Sequence, residues 1–258
     1  MSGILVTGGT GHLGRELVPL LVAAGHNVRV LSRRPGPDHI VGDLVSGEGI
    51  ADAVEGVDIL VHLASGAADN GVRGLGYGSS KKTDVDPTAR LVKLLDPETH
   101  VVYISIVGVD KIPLGYYRAK RECEQIIERS GLPLTILRTT QWHTLADEFS
   151  RRLAKSPVVL VPKGVRLQLL DVGEVARRMA ALIETGPSGR APDMGGPEVL
   201  DLDDIVRSWL RAKEMSRPVI SIPFPGKAVA GFRAGYNLAP EHEDGAITWS
   251  DWLASHPD

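Results

Sequence analysis

A single cysteine, Cys123, stands among the 258 residues, so no disulfide can close within the chain and a reducing compartment is expected. Basic residues form no stripe: Arg33-Arg34, Lys81-Lys82 and Arg151-Arg152 are isolated pairs, and the net charge is −3. Nucleic-acid binding therefore has little electrostatic support. No apolar run approaches the length of a membrane span. Strand-forming residues begin at position 3, so no leader is expected and cytoplasm is the expected compartment. The 8 histidines lack metal-ligand spacing, and no metal site is expected. Proline- or serine-rich linkers, internal repeats and low-complexity tracts are missing too. What remains is ordinary globular composition, 43% hydrophobic and 24% charged. Such a chain can build one large domain or a core with a small annex.

The most informative stretch is Gly3-Ile-Leu-Val-Thr-Gly-Gly-Thr-Gly-His-Leu-Gly14. Ile4, Leu5 and Val6 read as a buried parallel strand, and the glycines at 8, 11 and 14 lead into a helix. Glycine there permits a tight turn, close approach of the backbone, and contact between helix and strand. Amides of Thr10, Gly11, His12 and Leu13 and the positive end of the helix dipole would then meet a pyrophosphate.

The rest of the first half repeats strand and helix. A helix over about 12–24, in which Pro19 should remove a backbone bond and bend the axis, leads to a strand at 27–31. A third strand ends at Val41-Gly-Asp-Leu44, and a short helix covers 49–57. Strands at 58–64, 100–105 and 134–138 alternate with helices at 84–95 and 116–129. The glycine-rich segment 65–82 reads as a loop. This alternation requires a doubly wound α/β fold, a parallel sheet with helices on both faces and ligands at the carboxyl ends of its strands. The expected division is a dinucleotide-binding core over 1–140 and a mixed α/β annex over 141–258, forming one compact unit. The annex should hold short strands near 158–161, 166–170 and 219–222, and helices at 172–185, 201–213 and 226–236.

Thr7-Gly-Gly-Thr-Gly-His-Leu-Gly14, Gly42-Asp43-Leu44, His62-Leu63-Ala64 and the pair Tyr116 and Lys120 together resemble the short-chain dehydrogenase/reductase superfamily, on the side of its extended and atypical members. Gly131-Leu-Pro-Leu-Thr-Ile-Leu-Arg138, followed by Thr139, Thr140 and Gln141, is similar to the sixth strand and nicotinamide-side loop of the atypical group. That group includes NmrA-like regulators, phenylcoumaran and isoflavone reductases and nucleotide-sugar epimerases. The resemblance implies a Rossmann fold. It also implies adenine contacts at Asp43 and Leu44, ribose contacts along Leu63, Ala64 and Ser65, and a nicotinamide-side contact at Thr140.

Physical readings of the same residues add detail. Ser32-Arg33-Arg34 follows the second strand, where a carboxylate would hold free ribose hydroxyls and an arginine would neutralise a 2′-phosphate. NADP(H) is therefore favoured over NAD(H), although a solvated arginine pair is the plain alternative. Asp43 reads equally as a turn aspartate, and His62 as a packed core residue. Tyr116 and Lys120 lie one helical turn apart on one face. An ammonium beside the phenol would lower its pKa and suit it to proton exchange with a carbonyl or alcohol oxygen, while Lys120 would also hold ribose hydroxyls. Ser105 is the hydroxyl nearest the expected third catalytic position, which Val107 occupies. Gln141, Trp142 and His143 read as substrate-side residues or as the anchor of the annex, with His143 able to donate a proton. Trp209, Trp249 and Trp252 read as core.

These expectations describe an NADP(H)-dependent oxidoreductase acting on a small or medium ketone, quinone or enone, as monomer or homodimer. A non-catalytic NADP-binding sensor is the alternative. A nucleotide-sugar epimerase or dehydratase is a third, disfavoured by Val107.

Overall fold

The computed structural model describes residues 2–66 and 76–257. Its strands are β1 (Gly3–Thr7), β2 (Asn27–Ser32), β3 (His39–Val41), β4 (Ile59–His62), β5 (His100–Ile106), β6 (Leu134–Thr139), β7 (Val159–Pro162), β8 (Arg166–Gln168), β9 (Gly189–Arg190), β10 (Val199–Asp201) and β11 (Val219–Ile222). The helices are α1 (His12–Ala23), α2 (Ile50–Val54), α3 (Tyr77–Ser80), α4 (Asp86–Leu94), α5 (Gly115–Glu128), α6 (His143–Leu153), α7 (Val172–Thr185), α8 (Leu202–Ala212), α9 (Lys227–Arg233) and α10 (Trp249–Ser255). One π-helical turn, Lys81–Val85, joins α3 to α4.

The chain divides into two compact units. The first comprises Met1–Ser105, Leu114–Arg138 and Val175–Ala191, and the second Ile106–Pro113, Thr139–Glu174 and Pro192–Asp258. This division differs from a single cut near residue 140. Most of α7, together with β9, joins the first unit.

That first unit is built on a seven-stranded sheet in the order β3-β2-β1-β4-β5-β6-β9. Pairing is parallel from β3 through β5 and between β6 and β9. The order reverses between β1 and β4, so right-handed crossovers place helices on both faces. Ile4, Leu5 and Val6 are wholly buried, which is why β1 reads as an unbroken apolar run. Leu5, Leu60 and Tyr103 of the sheet share one cluster with Ile50, Leu91, Cys123 and Ile127 from the covering helices. α1 ends in a left-handed Gly25 (φ 87°): Gly25 N–H donates to Val22 O and His26 N–H to Leu21 O. Pro19 lies on the exposed side of α1, and the helix runs through it.

The second unit holds a parallel β7–β11 ribbon and an antiparallel β8–β10 pair. Its core is Trp209, Trp249 and Trp252 with Ile205, Val206, Val159 and Leu253. Among the described residues no helix is long and apolar enough to cross a membrane, and no group of three or more His, Cys, Asp or Glu is arranged to hold a metal.

Three local differences from the sequence reading stand out. Residues from Tyr77 are helical where a loop was expected through 82, and the middle of that segment, 67–75, lies outside the described residues. β9 adds a seventh strand. His143–Leu153 forms a helix that the sequence did not announce.

Candidate active site

The turn after β1 is packed so closely that its glycines have separate reasons. Gly8 has φ 71°, and a Cβ there would stand 2.7 Å from the Ala64 nitrogen. A Cβ at Gly9 would meet the Val30 side chain at 2.7 Å, and one at Gly14 would lie 2.4 Å from the Gly9 Cα. These three glycines let β1, β2, β4 and α1 approach one another. Gly11 is different: it is exposed, its φ is −79°, and a Cβ would meet only the Gly8 oxygen at 3.3 Å. Chain packing alone does not demand glycine there. α1 begins on Gly11 with no side-chain cap and no acid in its first turn. Thr10, Gly11 and His12 are exposed, Leu13 is buried, and Arg15 Nε fixes the turn by donating to Thr10 O at 2.9 Å. An uncapped, acid-free helix start beside an exposed glycine fits a dinucleotide diphosphate.

At the end of β2, Ser32 is half-buried and Arg33 and Arg34 are exposed, with no carboxylate beside them in sequence. The Arg34 amide donates to Ser32 Oγ at 3.1 Å. Asp43 fastens a turn, its Oδ1 accepting from the amides of Val45 at 2.6 Å and Ser46 at 3.3 Å. Leu44 is half-buried, and its carbonyl accepts from Arg90.

Leu63, Ala64 and Ser65 leave the end of β4 half-buried, and a ring of hydrogen bonds holds this segment from both sides. Ala64 N–H donates to Thr7 Oγ1 at 3.3 Å, Thr7 Oγ1 meets His62 Nδ1 at 2.7 Å, and His62 Nε2 meets Thr88 Oγ1 at 2.9 Å. Thr88 donates to the Asp84 main-chain oxygen at 2.7 Å. The ring closes where the buried Asp84 carboxylate accepts from Gly66 N–H at 3.3 Å and from Thr83 Oγ1 at 2.7 Å. Burial first, then the charge of Lys120, lowers the His62 pKa to about 3. The neutral ring serves the network, as a packed core histidine should.

Tyr116 and Lys120 lie in the first two turns of α5. The half-buried Tyr116 hydroxyl bonds Ser65 Oγ at 3.1 Å, which places the phenol at the carboxyl end of β4. Lys120 is 3% exposed; Nζ donates to Ile104 O at 2.7 Å and stands 4.1 Å over the Tyr103 ring. Its ammonium is thus held by strand β5. Burial raises the Tyr116 pKa while the Ser65 hydrogen bond opposes the rise. Burial lowers that of Lys120, against the charges of Cys123, Asp84 and Glu124. The expected lowering of the phenol by a neighbouring ammonium is therefore corrected: desolvation governs both groups.

The sequence matches the NAD(P)H-binding family over residues 8–157, a stretch that starts inside the glycine turn and passes beyond Lys120. The chain belongs to that family. It is 30% identical over 209 residues to (4-alkanoyl-5-oxo-2,5-dihydrofuran-3-yl)methyl phosphate reductase of Streptomyces griseus, covering 76% of this chain and 69% of that protein. It is 42% identical over 72 residues to 3-beta-hydroxysteroid dehydrogenase of Mycolicibacterium neoaurum. That match covers 25% of this chain and spans only 20% of the dehydrogenase. In structure it is similar to a short-chain dehydrogenase/reductase superfamily protein from Agrobacterium tumefaciens with bound NAD. The TM-score is 0.69 at 18% identity, over 99% of this chain and 96% of that one. The Rossmann fold and the superfamily resemblance are both borne out.

Of the remaining expected positions in this NAD(P)H-binding chain, Ser105 belongs to the first unit, and Val107, Thr140, Gln141, Trp142 and His143 belong to the second. Ser105, 2% exposed, turns toward Glu124, whose carboxylate takes a bidentate pair from Arg138 at 2.8 and 2.6 Å. In the second unit, Val107 N–H donates to Thr139 O at 3.0 Å, and Thr140, 2% exposed, bonds Met194 O through its amide at 3.0 Å. Gln141 Oε1 accepts from Asn237 at 3.2 Å, and Trp142 Nε1 donates to Thr139 Oγ1 at 3.0 Å. His143 is wholly buried and stacked on Trp249 and Trp252 at 5.7 and 5.8 Å. Burial is the main cause that lowers its pKa to about 4. A neutral imidazole in an aromatic core packs the unit and does not offer a proton at its surface. Asp84 and Glu124 were not singled out in sequence, because neither stands in a recognisable spacing and both acquire their partners only in the fold.

Proposed function

We propose that the chain is an NADPH-dependent oxidoreductase acting on a small or medium organic substrate whose reducible group is a ketone, quinone or enone. The observation that carries the reading is the Tyr116 phenol, half-buried at the carboxyl edge of the parallel sheet and followed one helical turn later by the buried ammonium of Lys120. NADPH, when bound, supplies a hydride equivalent to the substrate. The turn from Gly8 to Gly14 would hold the diphosphate, and Ser32, Arg33 and Arg34 the 2′-phosphate. Asp43 and Leu44 would border the adenine, and the backbone of Leu63, Ala64 and Ser65 the riboses. Lys120 would hold ribose hydroxyls. Tyr116 gives a proton to the substrate oxygen as negative charge develops there, and recovers one from solvent. The reductase and dehydrogenase names of the relatives support this reaction class without fixing the substrate.

The test is NADPH consumption against a panel of quinones, ketones and enones, with Tyr116→Phe as control. Turnover that this variant abolishes while NADPH affinity is retained is the expected result. A second reading, binding without catalysis, is favoured by one observation: Lys120 is committed to the Ile104 carbonyl. NADPH binding with no turnover on any of these substrates would select it.

A further inference from the structure

The hydroxyl that meets the Tyr116 oxygen comes from the end of β4, not from β5. At the end of β5, Val107 has no hydroxyl and Ser105 is buried beside Glu124. Ser65 Oγ lies 3.1 Å from the phenol oxygen. Its backbone is held on either flank: the Ala64 amide by Thr7 Oγ1 at 3.3 Å, and the Gly66 amide by the Asp84 carboxylate at 3.3 Å. Asp84 is 3% exposed and stands on the π-helical turn between α3 and α4, a feature frequent where a helix serves a site. Anchors on the amides either side of it fix where the serine points, and that is toward the group on which the proposed chemistry depends.

Resting on the reading of Tyr116 as proton donor, we infer that Ser65 is its catalytic hydrogen-bond partner, supplying from the end of β4 the hydroxyl that Val107, just after β5, lacks. When the phenol gives up its proton, the Ser65 O–H donates to the charged oxygen. When the phenol is protonated, either hydroxyl can be the donor. Asp84 and Thr7 are positioning residues in this scheme, acting through the two amides. A donor to a charged oxygen is worth more than one between neutral groups, so the effect should appear chiefly in the step that charges Tyr116.

The experiment compares wild type, Ser65→Ala and Ser65→Thr by NADPH-linked turnover and by NMR of protein carrying ¹³C at the tyrosine hydroxyl-bearing carbon. Tyr116→Phe identifies the resonance. Ser65→Ala should move that resonance in the cofactor-free protein and lower kcat about 10- to 100-fold with KM and NADPH affinity nearly unchanged, the size expected for one charged hydrogen bond. Ser65→Thr, which keeps a hydroxyl, should recover most of both. An unmoved resonance would overturn the pairing. A moved resonance with unchanged kcat would overturn the catalytic role while leaving Tyr116 in place. Wild-type protein that binds NADPH yet turns over no substrate would remove the oxidoreductase reading and this assignment with it, whereas a defect in Tyr116→Phe but not Ser65→Ala would remove this assignment alone.

Discussion

Lys120 donates its ammonium to the Ile104 carbonyl at 2.7 Å, inside the first unit and with the Tyr103 ring against it. A carbonyl dipole and a ring face partly replace the water this charge has lost, yet burial still lowers its pKa below 10.5. The unfolded chain therefore binds the proton more tightly than the folded one, and stability should rise with pH as the ordinary lysine range is approached. Urea unfolding at pH 8 and pH 10 should show wild type gaining on Lys120→Met. No relative gain would mean the ammonium is better solvated than its burial implies.

Gly11 and Gly14 should part company under substitution. Gly14→Ala drives a Cβ into backbone at 2.4 Å and should cost about 1–3 kcal/mol or more of stability. Gly11→Ala meets only one oxygen at 3.3 Å, so the fold should persist while NADPH affinity falls. Thermal melts and fluorescence titration of the two variants check this. Equal affinity in Gly11→Ala would argue that the diphosphate lies elsewhere.

Arg33→Ala with Arg34→Ala should weaken NADPH far more than NADH, since only the former carries the 2′-phosphate. Competitive titration with both dinucleotides reads the difference, and parallel losses would remove the phosphate assignment.

Glu124 and Arg138 are 1% and 2% exposed and joined by a bidentate pair. Arg138→Met strands a buried carboxylate, which Arg121 reaches at 2.7 Å but cannot enclose. About 3 kcal/mol should be lost in urea unfolding, and adding Glu124→Gln should restore part of it. A loss under about 1 kcal/mol would show that water replaces the guanidinium.

His143 and His62 titrate at about 4 and about 3 when folded, both lowered chiefly by burial from 6.5. Between pH 6.5 and pH 4 the unfolded chain binds more protons, so stability should fall as pH falls through that interval. His143→Phe should flatten the decline. An unchanged slope would place the histidine contribution elsewhere.

The sheet was legible because its strands are buried on both faces: Ile4-Leu5-Val6 and Val101 to Ile104 read as continuous apolar runs. The Gly25 and Gly131 stops mark the helix ends as cleanly. α6 escaped notice because its pattern is inverted, burying His143, Ala146 and Ser150 while exposing Leu145 and Phe149. α3 is written in glycine and serine, and tertiary contacts hold it: Arg118 covers the Tyr77 ring at 4.8 Å, and the Tyr77 hydroxyl bonds Glu122. At the site, motif spacing announced the glycine turn and the Tyr116–Lys120 pair. The Ser65–Tyr116 bond joins residues 51 apart in sequence, and no local pattern encodes it.

The most direct measurement is calorimetric titration of NADPH and NADH into wild type and Gly11→Val. Wild type should release heat with both and bind NADPH more tightly, while the folded variant should bind neither. Well-folded wild type with no heat from either dinucleotide, or a variant that binds as wild type does, would contradict the placement of the cofactor at the start of α1.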